Sequence, residues 1–105
     1  MEQRYALIFD DVMIKQLKQA AKNQNIKQII TNWLNELESG GHLAGKLLDS
    51  KLHLYEMRIN NPPLRLYYKY NALTKEIYVF EFKMKTNAKT QQETIGKLKH
   101  KSRFI

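Results

Sequence analysis

The stretch Leu64-Arg65-Leu66-Tyr67-Tyr68-Lys69-Tyr70 decides the fold of this chain of 105 residues. Its apolar and polar side chains alternate, and successive side chains of a β-strand point to opposite faces of a sheet. One face would carry Leu64, Leu66, Tyr68 and Tyr70, and the other would carry Arg65, Tyr67 and Lys69. The stretch therefore predicts a strand with one apolar and one largely cationic side.

Two further runs, Leu52–Ile59 and Lys75–Lys83, flank this strand in the sequence and predict strands of the same kind. The linkers Asn60–Pro63 and Asn71–Thr74 have the composition and length of hairpin turns. Together the three runs predict an antiparallel meander. The alternation places Tyr78, Phe80, Phe82 and Met84 on its apolar face, and leaves an open face with Glu56, Arg58, Arg65, Tyr67, Lys69, Glu81 and Lys83.

The first forty residues predict a strand followed by two helices. Tyr5–Phe9 is a short apolar run, and Asp10 or Asp11 can cap a helix that begins near Val12, with a predicted apolar stripe of Ile14, Leu17 and Ala21. The second helix has apolar residues at helical spacing from Ile26 to Leu37 and ends at Gly40-Gly41. The segment from His42 to Lys51 is expected to be a loop.

These elements predict an α+β domain with the order β-α-α-β-β-β-α. A small antiparallel sheet would carry the N-terminal helix hairpin on one face, and a basic C-terminal segment would begin at about residue 86. This segment predicts a weakly amphipathic, loosely docked helix. At 105 residues the chain is expected to be a single domain, residues 1–105.

Charge is concentrated at the C-terminal end of the sequence. From Lys83 to Arg103 there are seven cations and one anion, Glu93, so seven minus one gives +6 of the formal net charge of +8. This clustering favours a polyanionic partner, and nucleic acid is the commonest such partner. There is no cysteine and no apolar run of membrane-spanning length, so we expect a cytoplasmic protein without a membrane partner.

The order of these motifs resembles the RelE/ParE toxin superfamily. The matching segments are Leu54-Tyr55-Glu56-Met57-Arg58, then Leu64-Arg65-Leu66-Tyr67-Tyr68, then Ile77–Thr86, which ends in Lys83-Met84-Lys85-Thr86. Lys46-Leu47-Leu48 is similar to the family's lead-in to the meander, without its glycine. The resemblance spans almost the whole chain.

The resemblance implies the toxin of a type II toxin–antitoxin pair. A RelE-like member would be a metal-independent mRNA endonuclease acting on translating ribosomes, with mRNA and rRNA contacts and a cognate antitoxin as partners. A ParE-like member would instead inhibit DNA gyrase. A third alternative is a nontoxic nucleic-acid-binding relative of the same fold. No cofactor or metal is expected.

The resemblance also implies roles for individual residues. Arg65 would grip the scissile phosphate, Arg58 would be a basic residue of the site, and Glu56 would be a general base or would orient these arginines. Lys83 and Lys85 would bind phosphates or supply a proton, and Tyr67 would stack on a base or only pack across strands. RNA contacts are expected from Tyr67, Lys69, Lys89, Lys97, Lys99, Lys101 and Arg103.

The sequence departs from many ribosome-dependent relatives in one respect. Those proteins carry a catalytic tyrosine or histidine near the C-terminus, whereas this chain has no tyrosine after Tyr78 and a single late histidine, His100. The residues that transfer protons are therefore not predicted. Three scattered histidines do not have the spacing of a metal site.

Overall fold

A computed structural model describes residues 4–85 and 87–105. Met1–Gln3 and Thr86, where the basic segment was predicted to begin, lie outside the described residues. The elements in chain order are β1 (Ala6–Phe9), α1 (Asp11–Ala20), α2 (Gln24–Gly40), a 3-10 turn (His42–Ala44), β2 (Lys46–Asp49), β3 (Leu54–Asn60), β4 (Pro63–Asn71), β5 (Glu76–Met84) and α3 (Ala88–Ser102). The predicted α+β class is confirmed.

The described strands form one sheet in the order β1-β5-β4-β3-β2. The meander β3-β4-β5 is antiparallel, as predicted, but β1 adds to β5 in parallel and makes the sheet mixed. The prediction of a loop from His42 to Lys51 was wrong in part, because Lys46–Asp49 pairs with β3 as an edge strand. The segment Lys46–Asp49 has only four residues and its side chains do not alternate in polarity, so the sequence did not predict a strand there.

The two N-terminal helices form as predicted, with one change of orientation. Asp10 caps α1 by accepting a hydrogen bond from the Val12 amide at 3.0 Å. The buried side of α1 is formed by Met13 and Ala20, and the predicted Leu17 packs against the same core. Ile14 and Ala21 are exposed, so the predicted apolar stripe was correct at Leu17 and wrong at its other two positions. In α2 the periodic stripe is correct, with Ile30, Trp33 and Leu37 buried.

One face of the sheet, here called the hairpin face, carries α1 and α2 and the larger core. Its buried residues are Met13, Ile30, Trp33, Leu37, Tyr55, Met57, Leu64, Leu66, Tyr68, Ile77 and Val79. The predicted apolar sides of β3 and β4 lie here. This face is almost wholly apolar, so it stabilises the domain by removing hydrocarbon from water.

The opposite face, here called the α3 face, is covered by α3 and is not open as predicted. Between Tyr67 and Tyr68 the pairing of β4 with β5 shifts register, so that Tyr67 lies opposite Glu81 and Tyr68 lies opposite Val79. This β-bulge moves Tyr78 and Phe80 to the α3 face, contrary to the prediction from simple alternation. There Phe80 packs with Leu54, Tyr67 and Leu98 in a second, smaller cluster.

A side chain completes the sheet where β1 ends. The last paired residue of β1, Phe9, lies opposite Val79, and the outer edge of β5 continues beyond it. The Gln16 amide of α1 donates a hydrogen bond to the Phe82 carbonyl at 2.8 Å and accepts one from the Phe82 amide at 2.9 Å. Gln16 therefore replaces the strand neighbour that β5 lacks at this point.

Candidate functional site

Three cations stand in a row across the α3 face. Arg58 of β3 lies directly opposite Arg65 of β4, which lies directly opposite Lys83 of β5. Like charges in directly opposed positions repel each other, and this row contains no anion of its own. The sheet therefore holds together three of the predicted catalytic residues in an arrangement that an anionic ligand would stabilise.

The next row of the sheet is mixed in charge. Lys46 of β2 lies opposite Glu56 of β3, followed by Tyr67 and Glu81. Glu56 is 4% exposed, and its Oε2 accepts a hydrogen bond from Gln91 of α3 at 3.0 Å. Burial raises the pKa of Glu81, against the opposing effects of the nearby lysines. The carboxylate of Glu56 thus lies immediately beside the row of cations.

Arg65 is fixed at the centre of this arrangement. Its Nη1 donates hydrogen bonds to the carbonyls of Ile59 at 3.0 Å and Leu64 at 3.2 Å. Its Nε lies 3.9 Å from Glu56 Oε1, too far for a hydrogen bond, and this buried nitrogen has no hydrogen-bond partner among the described residues. Arg65 is only 4% exposed. The guanidinium group is therefore held in one orientation, and its buried Nε–H has no acceptor among the described residues.

Tyr67 is buried beneath α3. It is 1% exposed, so no face of its ring is available for a base in this arrangement, and base stacking stays a prediction that requires α3 to move. Burial and the negative charge of Glu56 raise the pKa of Tyr67 to about 12. The phenol is therefore protonated at neutral pH and does not act as a base.

The two lysines at the end of β5 differ in their contacts. Lys83 Nζ donates a hydrogen bond to Thr94 Oγ1 of α3 at 2.9 Å, whereas the exposed Lys85 is held through its main-chain amide, which bonds the Pro63 carbonyl. A cleft between these lysines, Arg65 and the first turns of α3 has a cavity volume of about 10 Å³. That is scarcely room for one water, so no phosphate enters here while α3 is docked.

The predicted RNA-binding cations fall into two groups. Lys69 donates hydrogen bonds to the carbonyls of Ser102 and Ile105, Lys99 lies 3.6 Å from Asp49, and Lys101 lies 2.7 Å from Asp10. These three hold α3 on the sheet. The exposed cations are Lys89, Lys97 and Arg103. Only the second group presents its charge to a partner without first breaking contacts within the domain.

Several residues that sequence reasoning missed act at this face. Gln91 and Thr94 of α3 bind Glu56 and Lys83, and Asp10 accepts hydrogen bonds from Tyr78 and Lys101, both at 2.7 Å. Burial alone would raise the pKa of Asp10, but these hydrogen bonds and that of the Val12 amide lower it. The signal in the sequence was faint, because Thr94, Leu98 and Ser102 recur every four residues but only one of them is apolar.

A larger recess lies at the other side of Glu56, between β2 and β3. It has a cavity volume of about 260 Å³ and is lined by Ala44, Gly45, Lys46, Glu56, Met57 and Arg58, none of them from α3. We call it the β2–β3 recess. It is open to solvent, and its exposed cations Lys46 and Arg58 are accessible to a ligand while α3 stays in place.

Within residues 4–85 and 87–105, no cluster of histidine, aspartate and glutamate side chains has the arrangement of a metal site. Over the same residues, no helix combines the length and apolar character needed to cross a bilayer.

No family model matches the sequence, and no curated protein matches it. Solved structures do. Isolated Escherichia coli RelE toxin is 19% identical, with a TM-score of 0.63 over 90% of this chain and 98% of that chain. The toxin–antitoxin complexes RelBE of E. coli (20%, TM-score 0.61) and YoeB-YefM of Staphylococcus aureus (24%, TM-score 0.58) each match 79% of this chain and 99% of theirs. The chain therefore has the RelE-like toxin fold.

Proposed function

We propose that this protein is the toxin of a type II toxin–antitoxin pair and a metal-independent endonuclease that cuts mRNA on translating ribosomes. The observation that carries the proposal is the row Arg58, Arg65 and Lys83 with Glu56 beside it. The RelE-like fold supports it, since the solved structures with this fold are named as toxins and as toxin–antitoxin complexes.

The reaction needs charge and orientation more than it needs a cofactor. The 2′-hydroxyl of one nucleotide loses its proton as its oxygen attacks the neighbouring phosphorus, and the bond from phosphorus to the 5′-oxygen breaks. The departing 5′-oxygen takes a proton from Lys83, Lys85 or water, so that a cyclic phosphate and a 5′-hydroxyl result. The phosphorus passes through a state with extra negative charge on its oxygens. In this proposal Arg65 stabilises that charge with its remaining donors once α3 has moved, and Arg58 and Lys83 extend the positive field on either side.

Glu56 is the carboxylate best placed to act on the 2′-hydroxyl. Its Oε2 is held by Gln91, and its Oε1 faces the Arg65 Nε at 3.9 Å. A carboxylate held in this way orients Arg65, and it also accepts a proton if the substrate replaces Gln91. Tyr67, with its pKa raised to about 12, stays protonated at neutral pH and is not the base.

Access to this site depends on α3. Arg65 and Glu56 are each 4% exposed, and the cleft beside Arg65 is too small for a phosphate. A nucleotide that reaches Arg65 must therefore displace the first turns of α3, whose contacts here are the hydrogen bonds of Gln91 and Thr94. An antitoxin partner fits the same region, because Lys89, Lys97 and Arg103 give the outer side of α3 a positive charge.

The test is primer extension on a defined mRNA in a bacterial translation extract. Wild-type protein should produce cuts that depend on translation, and Arg65→Ala should reduce the cutting rate by about 100-fold or more, the usual effect of removing one donor to a developing oxyanion. Arg4→Ala is the matched control, because Arg4 pairs with Glu38 at the surface of the hairpin and carries the same charge.

Because Arg65 is buried, folding of each variant must be checked by circular dichroism. Arg65→Lys keeps the charge but loses the fork of donors, and it should recover only part of the activity. Full cutting by a folded Arg65→Ala protein would overturn the assignment of Arg65. Intact mRNA with wild-type protein would overturn the nuclease and make a gyrase supercoiling assay the next measurement.

A further inference from the structure

We infer that the β2–β3 recess is a second phosphate-binding subsite, in which Lys46 and Arg58 hold the RNA chain beside the scissile phosphate. The inference deepens the proposed function and rests on it. Lys46 was not among the residues predicted to bind RNA, and it is brought to the site by β2, the strand that the sequence did not reveal.

The recess presents two cations that have no competing partner. Lys46 and Arg58 are exposed, and neither makes an ion pair or a side-chain hydrogen bond with any of the described residues. The one anion that lines the recess, Glu56, is buried and is already held by Gln91. Two free cations on the rim of an open recess are the usual arrangement for binding a phosphodiester through charge.

Main-chain packing fixes the position of Lys46. A Cβ atom at Gly45 would lie 2.7 Å from the Glu56 carbonyl oxygen and would also overlap the Tyr68 hydroxyl. Glycine is therefore required for β2 to approach β3 this closely. The next residue, Lys46, is thereby placed directly opposite Glu56. The main-chain position of Lys46 beside the recess thus depends on a close contact that any side chain at position 45 would disturb.

The recess also lies at a suitable distance from the cation row. Arg58, which lines the recess, lies directly opposite Arg65 on the neighbouring strand, about 5 Å away. Lys46 lies one strand further and in the next row of the sheet, about 12 Å from Arg65. A single strand of RNA that places one phosphate at Arg65 would carry a neighbouring phosphate into the recess. The volume of about 260 Å³ accepts a phosphate and part of its sugar, whereas the cleft on the α3 side does not.

The test measures binding of a fluorescent, fully 2′-deoxy single-stranded oligonucleotide, which lacks the attacking hydroxyl and cannot be cut. Wild type, Lys46→Ala, Lys46→Arg and Lys51→Ala are titrated at several salt concentrations. Lys51→Ala removes the same charge from the exposed turn after β2 and is the matched control. Loss of one phosphate contact on a single strand lowers the slope of log affinity against log salt by about 0.7.

We expect that decrease with Lys46→Ala, no change with Lys51→Ala and recovery with Lys46→Arg. Equal slopes for wild type and Lys46→Ala, or no binding by wild type, would overturn the subsite. The subsite would also be overturned if Lys46→Ala lost binding to a polyglutamate peptide and kept wild-type binding to the oligonucleotide. That result would assign the recess to an acidic protein partner.

The same variants separate this inference from the proposed function. If wild type binds the oligonucleotide in the expected way but leaves mRNA intact, the nuclease fails, and the recess remains a phosphate-binding site with no scissile phosphate beside it. If mRNA is cut and Lys46→Ala has the wild-type salt slope, the subsite alone fails. In the cutting reaction itself, Lys46→Ala should raise KM with little change in kcat, because the residue binds a part of the RNA that does not react.

Discussion

The two faces of the sheet differ in the polarity of the side chains that they bury. Of the residues that the structure describes, the hairpin face buries eleven in one apolar cluster under two helices. The α3 face has a cluster of four, and around it lie buried polar and charged groups, including Glu56, Arg65, Thr94 and Ser102. The hairpin face therefore supplies most of the stability. On the α3 face, charged groups lie under α3, which is held mainly by polar contacts. Local opening of α3 should therefore require less free energy than opening of the hairpin face.

The largest effect should come from the hairpin face. Trp33→Ala removes the chain's single tryptophan from the larger cluster, where it is 9% exposed. We expect a loss of about 3–5 kcal/mol in the free energy of unfolding, the usual cost of a large aromatic deletion. Urea denaturation followed by circular dichroism measures it. An unchanged midpoint would contradict the placement of α2.

A smaller and more local effect is expected from Leu98→Ala on the α3 face. Leu98 is the buried leucine by which α3 packs on Leu54, Tyr67 and Phe80. Its loss should weaken docking of α3 by about 2 kcal/mol, which is about 30-fold more opening. Limited trypsin digestion of α3, which is rich in lysine, would report this opening.

The matched control for Leu98→Ala is Leu37→Ala, the same deletion at a fully buried position of the hairpin face. Trp33 fluorescence reports the hairpin core in both proteins. Leu37→Ala should shift the urea midpoint of that fluorescence strongly, and Leu98→Ala should shift it much less. Equal shifts would mean that the two faces unfold as one unit, and the contrast drawn here would be wrong.

The smallest effect should come from Lys101→Met, which removes the ion pair of α3 with Asp10. Lys101 is 41% exposed, so the pair is screened by solvent and should contribute about 1 kcal/mol or less. In the folded state the pKa of Asp10 is lowered from its ordinary value of 3.8. The contribution of this carboxylate to stability is therefore present above pH 3.8, and it is lost as the pH falls through the lower pKa of the folded state.

Lys101→Met should therefore lose less stability than wild type on acidification. Urea midpoints at a neutral and at a strongly acidic pH would measure the difference. A variant with the full acid sensitivity of the wild type would show that Lys101 does not contribute to the low pKa of Asp10. Tyr78 and the Val12 amide would then be the groups responsible.

Sequence patterns predicted the elements whose burial is apolar and regular. The α2 stripe and the meander were correct because hydrophobic spacing reports one buried side directly. The position of Tyr78 and Phe80 on the α3 face was not predicted. Simple alternation assumes that the pairing register continues along the whole strand, and the β-bulge interrupts it. The unbroken apolar run Ile77–Phe80 was a usable signal, since it is typical of a strand buried on both faces.

The sequence predicted which residues of the candidate site lie together, but it did not predict what surrounds them. Arg58, Arg65, Lys83 and Glu56 do lie together, because strand pairing follows from the meander. Their burial could not be predicted, since α3 docks through Gln91, Thr94 and Ser102, whose polar side chains resemble those of a solvated helix. The position of Lys46 beside Glu56 was not predicted either, because its strand is short and lies at the sheet edge.

The paired hydrogen bonds of Gln16 have a consequence for how the protein behaves at high concentration. An unpaired strand edge is a template on which a second chain can add a strand, and growth from such edges leads to aggregates. By satisfying both main-chain groups of Phe82, one glutamine amide closes the outer edge of β5 beyond β1 to that kind of growth. A residue of α1 thus contributes to colloidal stability through the backbone of a strand 66 residues away in the sequence.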